Sequence, residues 1–247
     1  MRFYHLFNLF IAQLLLWSIS GSQILTGQIL ASEVLEKSIQ HHDPNDILRS
    51  EKVTFHFLET RPGGSDRKTT VTIDYSEEYY HVNREVDGAT IVMEWDKGAT
   101  KFRLNGNDSP SPQEMEEFRL NADYLNRMKN YYRYLWFLPV TLLDPGTILH
   151  ESGEMTDFFG KKCIELKATY EEGVGGDTWY FYFHPDNFAL KGYRFYHDES
   201  ANDGEYILLD GTVVNEGVTI PQSRNWYTHK EGKFLGMDTL VKLDITR

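Results

Sequence analysis

Cysteine is almost absent. The lone Cys163 excludes an internal disulfide and any metal site built from several thiolates. With only Lys161 and Lys162 as basic neighbours, it reads as a small buried hydrophobe on a strand and not as a reactive thiol. Basic residues are also in short supply, 25 Lys and Arg against 37 Asp and Glu, for a formal net charge of −12. That balance opposes binding to nucleic acid or an anionic membrane by bulk attraction. Beyond the first 22 residues no apolar run is long enough to span a bilayer. Catalytic signatures are missing too. There is no Gly-x-Ser-x-Gly elbow, and His150-Glu151 lacks a second histidine at metalloprotease spacing. Gly173-Val174-Gly175-Gly176 precedes neither a helix nor a Lys-Ser/Thr pair, so it reads as a hairpin loop and not as a phosphate cradle.

The start of the chain is apolar. Arg2 precedes the run Leu6 to Trp17, broken only by Asn8 and Gln13, and the small residues Ser18, Ser20, Gly21 and Ser22 follow. This pattern predicts a secretory signal peptide over residues 1–22, cleaved before Gln23, and a periplasmic or secreted protein. No cysteine lies near that site, so lipid attachment there is excluded. Residues 23–247 show neither a repeat nor a linker-like segment. At 40% hydrophobic and 25% charged, the composition predicts a single domain with a substantial core, expected as a monomer.

The longest helical signal runs from Ser111 to Pro145. Ser111 and Glu114 form a capping box, and Pro112 stands at the first helical position, where its missing N–H costs nothing. Apolar residues then recur at Phe118, Ala122, Leu125, Met128, Tyr132 and Leu135, in steps of three and four. Pro139 disfavours helix at Leu138, so one helix is predicted near 112–137. A shorter helix is expected over Ala31 to His42, capped by Ser32 and ended by Asp43-Pro44.

The rest alternates with period two. Five strands precede the long helix, beginning with Val53, Phe55 and Phe57. Several more follow it, including Thr147 to Glu151, Cys163 to Tyr170, Trp179 to His184, Thr212 to Ile220 and Phe234 to Ile245. Trp179 to His184 is aromatic on both faces, so both should be covered. In the last strand Met237, Thr239, Val241, Leu243 and Ile245 fall on one face and Asp238, Lys242 and Asp244 on the other. Strands in series with short turns predict a mostly β protein with two helices (α+β). The expected architecture is a curled antiparallel sheet, an open half-barrel of about ten strands, enclosing one long helix.

Several of these stretches together resemble a family of exported proteins from Bacteroidota known only as a domain of unknown function. The similarity lies in Ile39-Gln-His-His-Asp-Pro44, Tyr134-Leu-Trp-Phe-Leu-Pro139 with Asp144-Pro-Gly146, Tyr182-Phe-His-Pro185, Gly204-Glu-Tyr-Ile207, and Ile220-Pro-Gln-Ser-Arg-Asn-Trp-Tyr227 with Leu235-Gly236. The family pattern has a tryptophan shortly after His-Asp-Pro, where this chain has Ile47 and Leu48. The architecture is similar to the LolA/LolB lipoprotein-sorting fold, which implies an open barrel closed by helices around a lipid-binding cavity. The resemblance carries over no catalytic residues.

Aromatic residues make up 14% of the chain and give the leading candidate site. Tyr132, Leu135, Trp136, Phe137, Trp179, Tyr180, Tyr182 and Trp226 are expected to wall a cavity for a hydrophobic ligand, a lipid or the acyl chain of a lipoprotein. The same rings also suit a well-filled core. No cofactor, metal ligand or catalytic residue is assigned, and binding is favoured over catalysis. His41-His42-Asp43 reads as a capping or solvated helix end, because adjacent helical residues point about 100° apart and cannot converge on one ion. The alternative is a hydrolase or isomerase in which one of His56, His81, His150, His184 or His197 meets a carboxylate across the sheet. A second alternative is a non-catalytic surface module with a filled barrel.

Overall fold

The computed structural model describes residues 29–247; the expected signal peptide lies outside the described residues. A short strand β1 (Ile29–Leu30) leads into α1 (Ala31–His42) and a single turn α2 (Ile47–Ser50). Five strands follow: β2 (Lys52–Thr60), β3 (Arg67–Asp74), β4 (Tyr79–Val86), β5 (Ala89–Asp96) and β6 (Ala99–Leu104). Helices α3 (Pro112–Glu117) and α4 (Ala122–Trp136) and a 3-10 turn (Val140–Leu143) come next. The second series is β7 (Thr147–Leu149), β8 (Ser152–Phe158), β9 (Lys161–Tyr170), β10 (Thr178–Phe183), β11 (Leu190–Asp198) and β12 (Asp203–Asp210). A small hairpin, β13 (Val213–Asn215) with β14 (Val218–Ile220), precedes β15 (Ser223–Thr228) and β16 (Phe234–Thr246).

Fourteen strands form one curled, open antiparallel sheet in the order β1-β8-β9-β10-β11-β12-β15-β16-β2-β3-β4-β5-β6, with β7 beside β8 on β9. Two meanders meet at a seam, where β16 pairs with β2 from Met237↔Thr60 to Thr246↔Lys52. The inward positions of each strand, such as Phe55, Val71, Val82, Leu166, Phe181 and Ile207, form one buried core with Leu125, Tyr132, Leu135 and Trp136 of α4. Burying that apolar stripe is what fixes α4 in the concave face, because a 15-residue helix is marginal alone in water.

The curled, open antiparallel sheet is as expected, and five details differ. The predicted single helix is two, joined by a bend at Phe118–Asn121. Arg119 turns left-handed (φ 54°), which sends Leu120 fully into the core, and Asn121 caps α4 by accepting from the Tyr124 amide at 2.8 Å. The capping box at the start of α3 is formed as expected. For α1, Ser32 is not the cap. Leu30 precedes the helix without a side-chain bond, and the first amide, Ala31 N–H, donates to the Glu151 carbonyl at 2.9 Å.

The sheet has fourteen strands where about ten were expected. The polar strand β8, with Glu154, Thr156 and Asp157, carries too weak an alternation to be read from sequence. Thr212 to Ile220 is not one strand but the hairpin β13–β14, turned at Glu216-Gly217 with positive φ at both residues. In β16 a bulge between Leu240 and Lys242 shifts the register, so Asp238, Leu240 and Leu243 are buried while Val241 is 63% exposed.

A candidate ligand cleft beside the long helix

Beneath α4 the concave face is filled. Trp136 packs on Phe57 with ring centroids 4.3 Å apart, Tyr132 stacks on Phe57 at 5.5 Å, and Phe137 lies 6.2 Å from Phe55. Tyr132, Leu135, Trp136 and Phe137 are therefore core side chains between helix and sheet. Trp226 is buried beside them. Tyr180 and Tyr182 point to the opposite face. There Tyr182 stacks on Phe158 at 3.8 Å beside the buried Cys163, and the Tyr180 hydroxyl donates to Glu199. Gly192 makes that stack feasible, since a Cβ there would sit 2.3 Å from the Phe158 ring. Burial raises the Cys163 thiol above its usual pKa, in keeping with an inert strand residue.

The core also holds charges that the sequence reading did not single out. Glu59, 2% exposed, accepts from Tyr132 Oη at 2.7 Å and Thr69 Oγ1 at 2.6 Å, and Arg84 Nη2 donates to Tyr132 Oη at 2.8 Å. Burial opposes ionisation of Glu59, but Arg84 and the two hydroxyl donors outweigh it and hold the carboxyl below its ordinary pKa. Asp238 accepts from Trp226 Nε1 (2.9 Å), Tyr131 Oη (3.2 Å) and Arg61 Nη2 (2.6 Å). Arg224 is fully buried with its guanidinium 3.4 Å above the Trp136 ring, and it donates to the Leu135 carbonyl at 2.9 Å. The available signal was period two: Glu59, Arg84 and Arg224 stand two residues from the inward Phe57, Val82 and Trp226.

Open space lies beside the C-terminal half of α4, on the side of Asn130, Arg133 and Tyr134. A cleft of about 460 Å³ is bounded by α4, the 3-10 turn, β7 and the β9–β10 loop. Its rings are Tyr134, Tyr170 and Trp179, each half-buried, and the exposed Tyr75. Tyr134 meets Trp179 at 5.2 Å and 67°, and Tyr170 at 6.2 Å and 69°, so the three form a corner. The Tyr134 and Tyr170 hydroxyls hydrogen-bond to each other, and burial raises both above the usual phenol pKa. Arg133 closes one side with a two-pronged bond to Asp144, both distances 2.7 Å, while lying over the Tyr75 ring. The predicted hairpin loop supplies Val174 and Gly175.

Asp144 and Thr147 are shared with a second cleft of about 580 Å³, between α1 and the 3-10 turn, whose apolar wall includes Leu35, Ile39, Leu142, Leu143 and Leu149. Leu143 is 53% exposed at its mouth. Thus, of the eight residues expected at a site, Trp179 lines a cleft. The neighbouring Tyr134, Tyr170 and leucines, which sequence periodicity alone did not distinguish from core, complete it.

The histidines scatter. His56 bonds Asp244 at 3.0 Å on the outward face, and His197 bonds Asp177 at 2.7 Å, with Asp177 on the rim of the ring-lined cleft. That bond raises the His197 pKa above its usual value. His150 makes only a long contact to Thr169, and His184 accepts from the Asp186 amide. His42 is not solvated but 2% exposed, while Asp43 does cap, accepting from the Ile47 and Leu48 amides at 2.8 and 2.9 Å. Among the described residues no group of three or more His, Cys, Asp or Glu could hold a metal ion, and no helix is long and apolar enough to cross a membrane.

A model of a family of unknown function, DUF6503, matches residues 4–243. No curated protein matches the chain. Among solved structures, a domain assigned to outer membrane lipoprotein sorting from Vibrio parahaemolyticus is similar with a TM-score of 0.51 at 8% identity, over 87% of this chain and 91% of that one. A DUF1329 family protein from Desulfovibrio piger gives 0.50 at 12% identity, over 87% and 92%. A LolA superfamily protein from Nitrosomonas europaea gives 0.49 at 12% identity, over 89% and 94%. With the first two the chain shares a fold, and at such identities nothing more.

Proposed function

We propose, on the premise that the chain belongs to DUF6503, a family of unknown function, that it is an exported protein binding one amphiphile in the paired clefts beside α4. The acyl or alkyl part lies along Leu142, Leu143 and Leu149, and the polar end sits at the corner of Tyr134, Tyr170 and Trp179. The single observation that carries this reading is that the two clefts adjoin, with Asp144 and Thr147 lining both. An apolar trough with a ring-walled polar end, each within the usual ~300–1,000 Å³ of ligand pockets, is what an amphiphile requires. The signal-like residues 1–22 support export, and the shared fold with a lipoprotein-sorting domain is compatible with it. The interior under α4 is packed, so the ligand is assigned to the clefts and not to the barrel axis.

Leu143→Glu tests the trough without touching the core, because Leu143 is already 53% exposed. The variant is expected to melt within a degree or two of the wild type and to lose most uptake of the uncharged probe N-phenyl-1-naphthylamine. Val241→Glu, at a 63% exposed position on the sheet's outer face, is expected to bind as the wild type does. Equal uptake by wild type and Leu143→Glu would contradict the assignment. The hydrolase or isomerase reading keeps one supporting observation, the His197–Asp177 pair at the cleft rim.

A further inference from the structure

The polar end of the cleft pair has a distinct chemistry. Three aromatic faces and edges converge there, and the charged groups lining it are Arg133, Asp144 and Asp177. Arg133 and Asp144 neutralise each other through both prongs of the guanidinium. Asp177 is different: only Oδ1 is engaged, by His197 Nδ1 at 2.7 Å, and Oδ2 has no hydrogen-bond partner among the described residues. The bond to His197 holds the carboxylate at the rim; no Arg or Lys among the described residues pairs with it, and its one counter-charge is His197 when that ring is protonated. The adjoining trough adds Glu36, Asp43 and Asp46 to its lining; Asp46 pairs with Arg49 and Asp43 accepts from two backbone amides, which leaves Glu36 without a cationic partner among the described residues.

Ring faces carry negative quadrupole density and attract cations, most strongly Trp, and several rings with a carboxylate form the arrangement that holds quaternary ammonium groups. An anionic head, a sulfate, phosphate or carboxylate, would meet Asp177 with no unpaired cation to receive it. Resting on the reading of these clefts as an amphiphile site, we propose that the ligand's polar end is an ammonium group, quaternary or primary, held in the corner of Tyr134, Tyr170 and Trp179 with Asp177 as its counter-charge.

The test compares four probes by displacement of N-phenyl-1-naphthylamine at physiological salt and below micelle-forming concentrations: decyltrimethylammonium, decyl maltoside, decyl sulfate and free choline. Decyltrimethylammonium is expected to bind at least about tenfold more tightly than decyl maltoside, and decyl sulfate more weakly than either. Asp177→Asn is expected to shrink the ammonium-to-maltoside ratio to about threefold or less. Because that variant removes one of 37 acids, it separates a site from general attraction to an acidic surface. Trp179→Leu is expected to shrink the ratio likewise. Equal affinity for the ammonium and maltoside probes, or a ratio unchanged in Asp177→Asn, overturns the head-group proposal and leaves the amphiphile reading standing. If no decyl probe displaces the dye, the cleft reading itself falls. If choline binds as tightly as the decyl compound, the ammonium pocket stands and the apolar trough does not.

Discussion

Trp136 shows how far a single side chain can be read from sequence. Its place on the apolar stripe of α4 follows from spacing, but spacing says which way a residue faces and not how much room is left there. The structure supplies the rest: the ring is 1% exposed, packed on Phe57 and covered by the guanidinium of Arg224. Trp136→Ala should therefore cost about 3 to 5 kcal/mol, the usual range for truncating a buried aromatic. Urea denaturation measures it, and a loss under about 1 kcal/mol would show that the ring is a cavity wall and not core. Arg224 was illegible for a different reason. A buried arginine that donates to the carbonyls of Leu135 and Pro221 breaks the rule that charges stay outside. Only the finished fold reveals that it donates to the Leu135 carbonyl, one of the last carbonyls of α4, which have no partner within the helix.

At the scale of elements, the end of α1 makes a pH prediction. His42 donates from Nδ1 to the Thr219 carbonyl at 2.7 Å and accepts at Nε2 from the Leu190 amide at 2.9 Å, so α1 is tied to both β14 and the start of β11 by a neutral ring. Protonation would turn Nε2 toward a donor as a second donor. Burial is the main cause that lowers its pKa from 6.5 to about 4. The unfolded chain then takes up the proton first as pH falls, so stability drops between about pH 6.5 and 4. Between pH 6.5 and 5 the contribution is about 2 kcal/mol. His42→Gln should be less stable at pH 7, yet the gap to the wild type should narrow by about that amount at pH 5. A gap that stays constant or widens would mean that His42 does not remain neutral in the fold. In sequence this histidine was indistinguishable from His41 beside it. The bend at Arg119 and the bulge before Lys242 were hidden in the same way, because each inserts a local departure into a pattern that remains regular on both sides.

For the whole molecule, the curled antiparallel sheet and its internal helical stretch were legible, because period two and turn residues mark strands and a capping box marks a helix start. Strand neighbours were not. Alternation fixes the face a residue takes but not the partner it pairs with, so the β16–β2 seam that joins the two meanders left no trace in local pattern. The clefts were illegible for a related reason. They arise between α1, the 3-10 turn, α4 and the β9–β10 loop, segments far apart in the chain. The most direct test of the account is native mass spectrometry of the protein purified from its own cells, paired with solvent extraction and identification of what is released. The account predicts a bound species of one amphiphile per chain, absent from Leu143→Glu. A bare protein mass in both, with no amphiphile taken up when lipids are offered in excess, would contradict it.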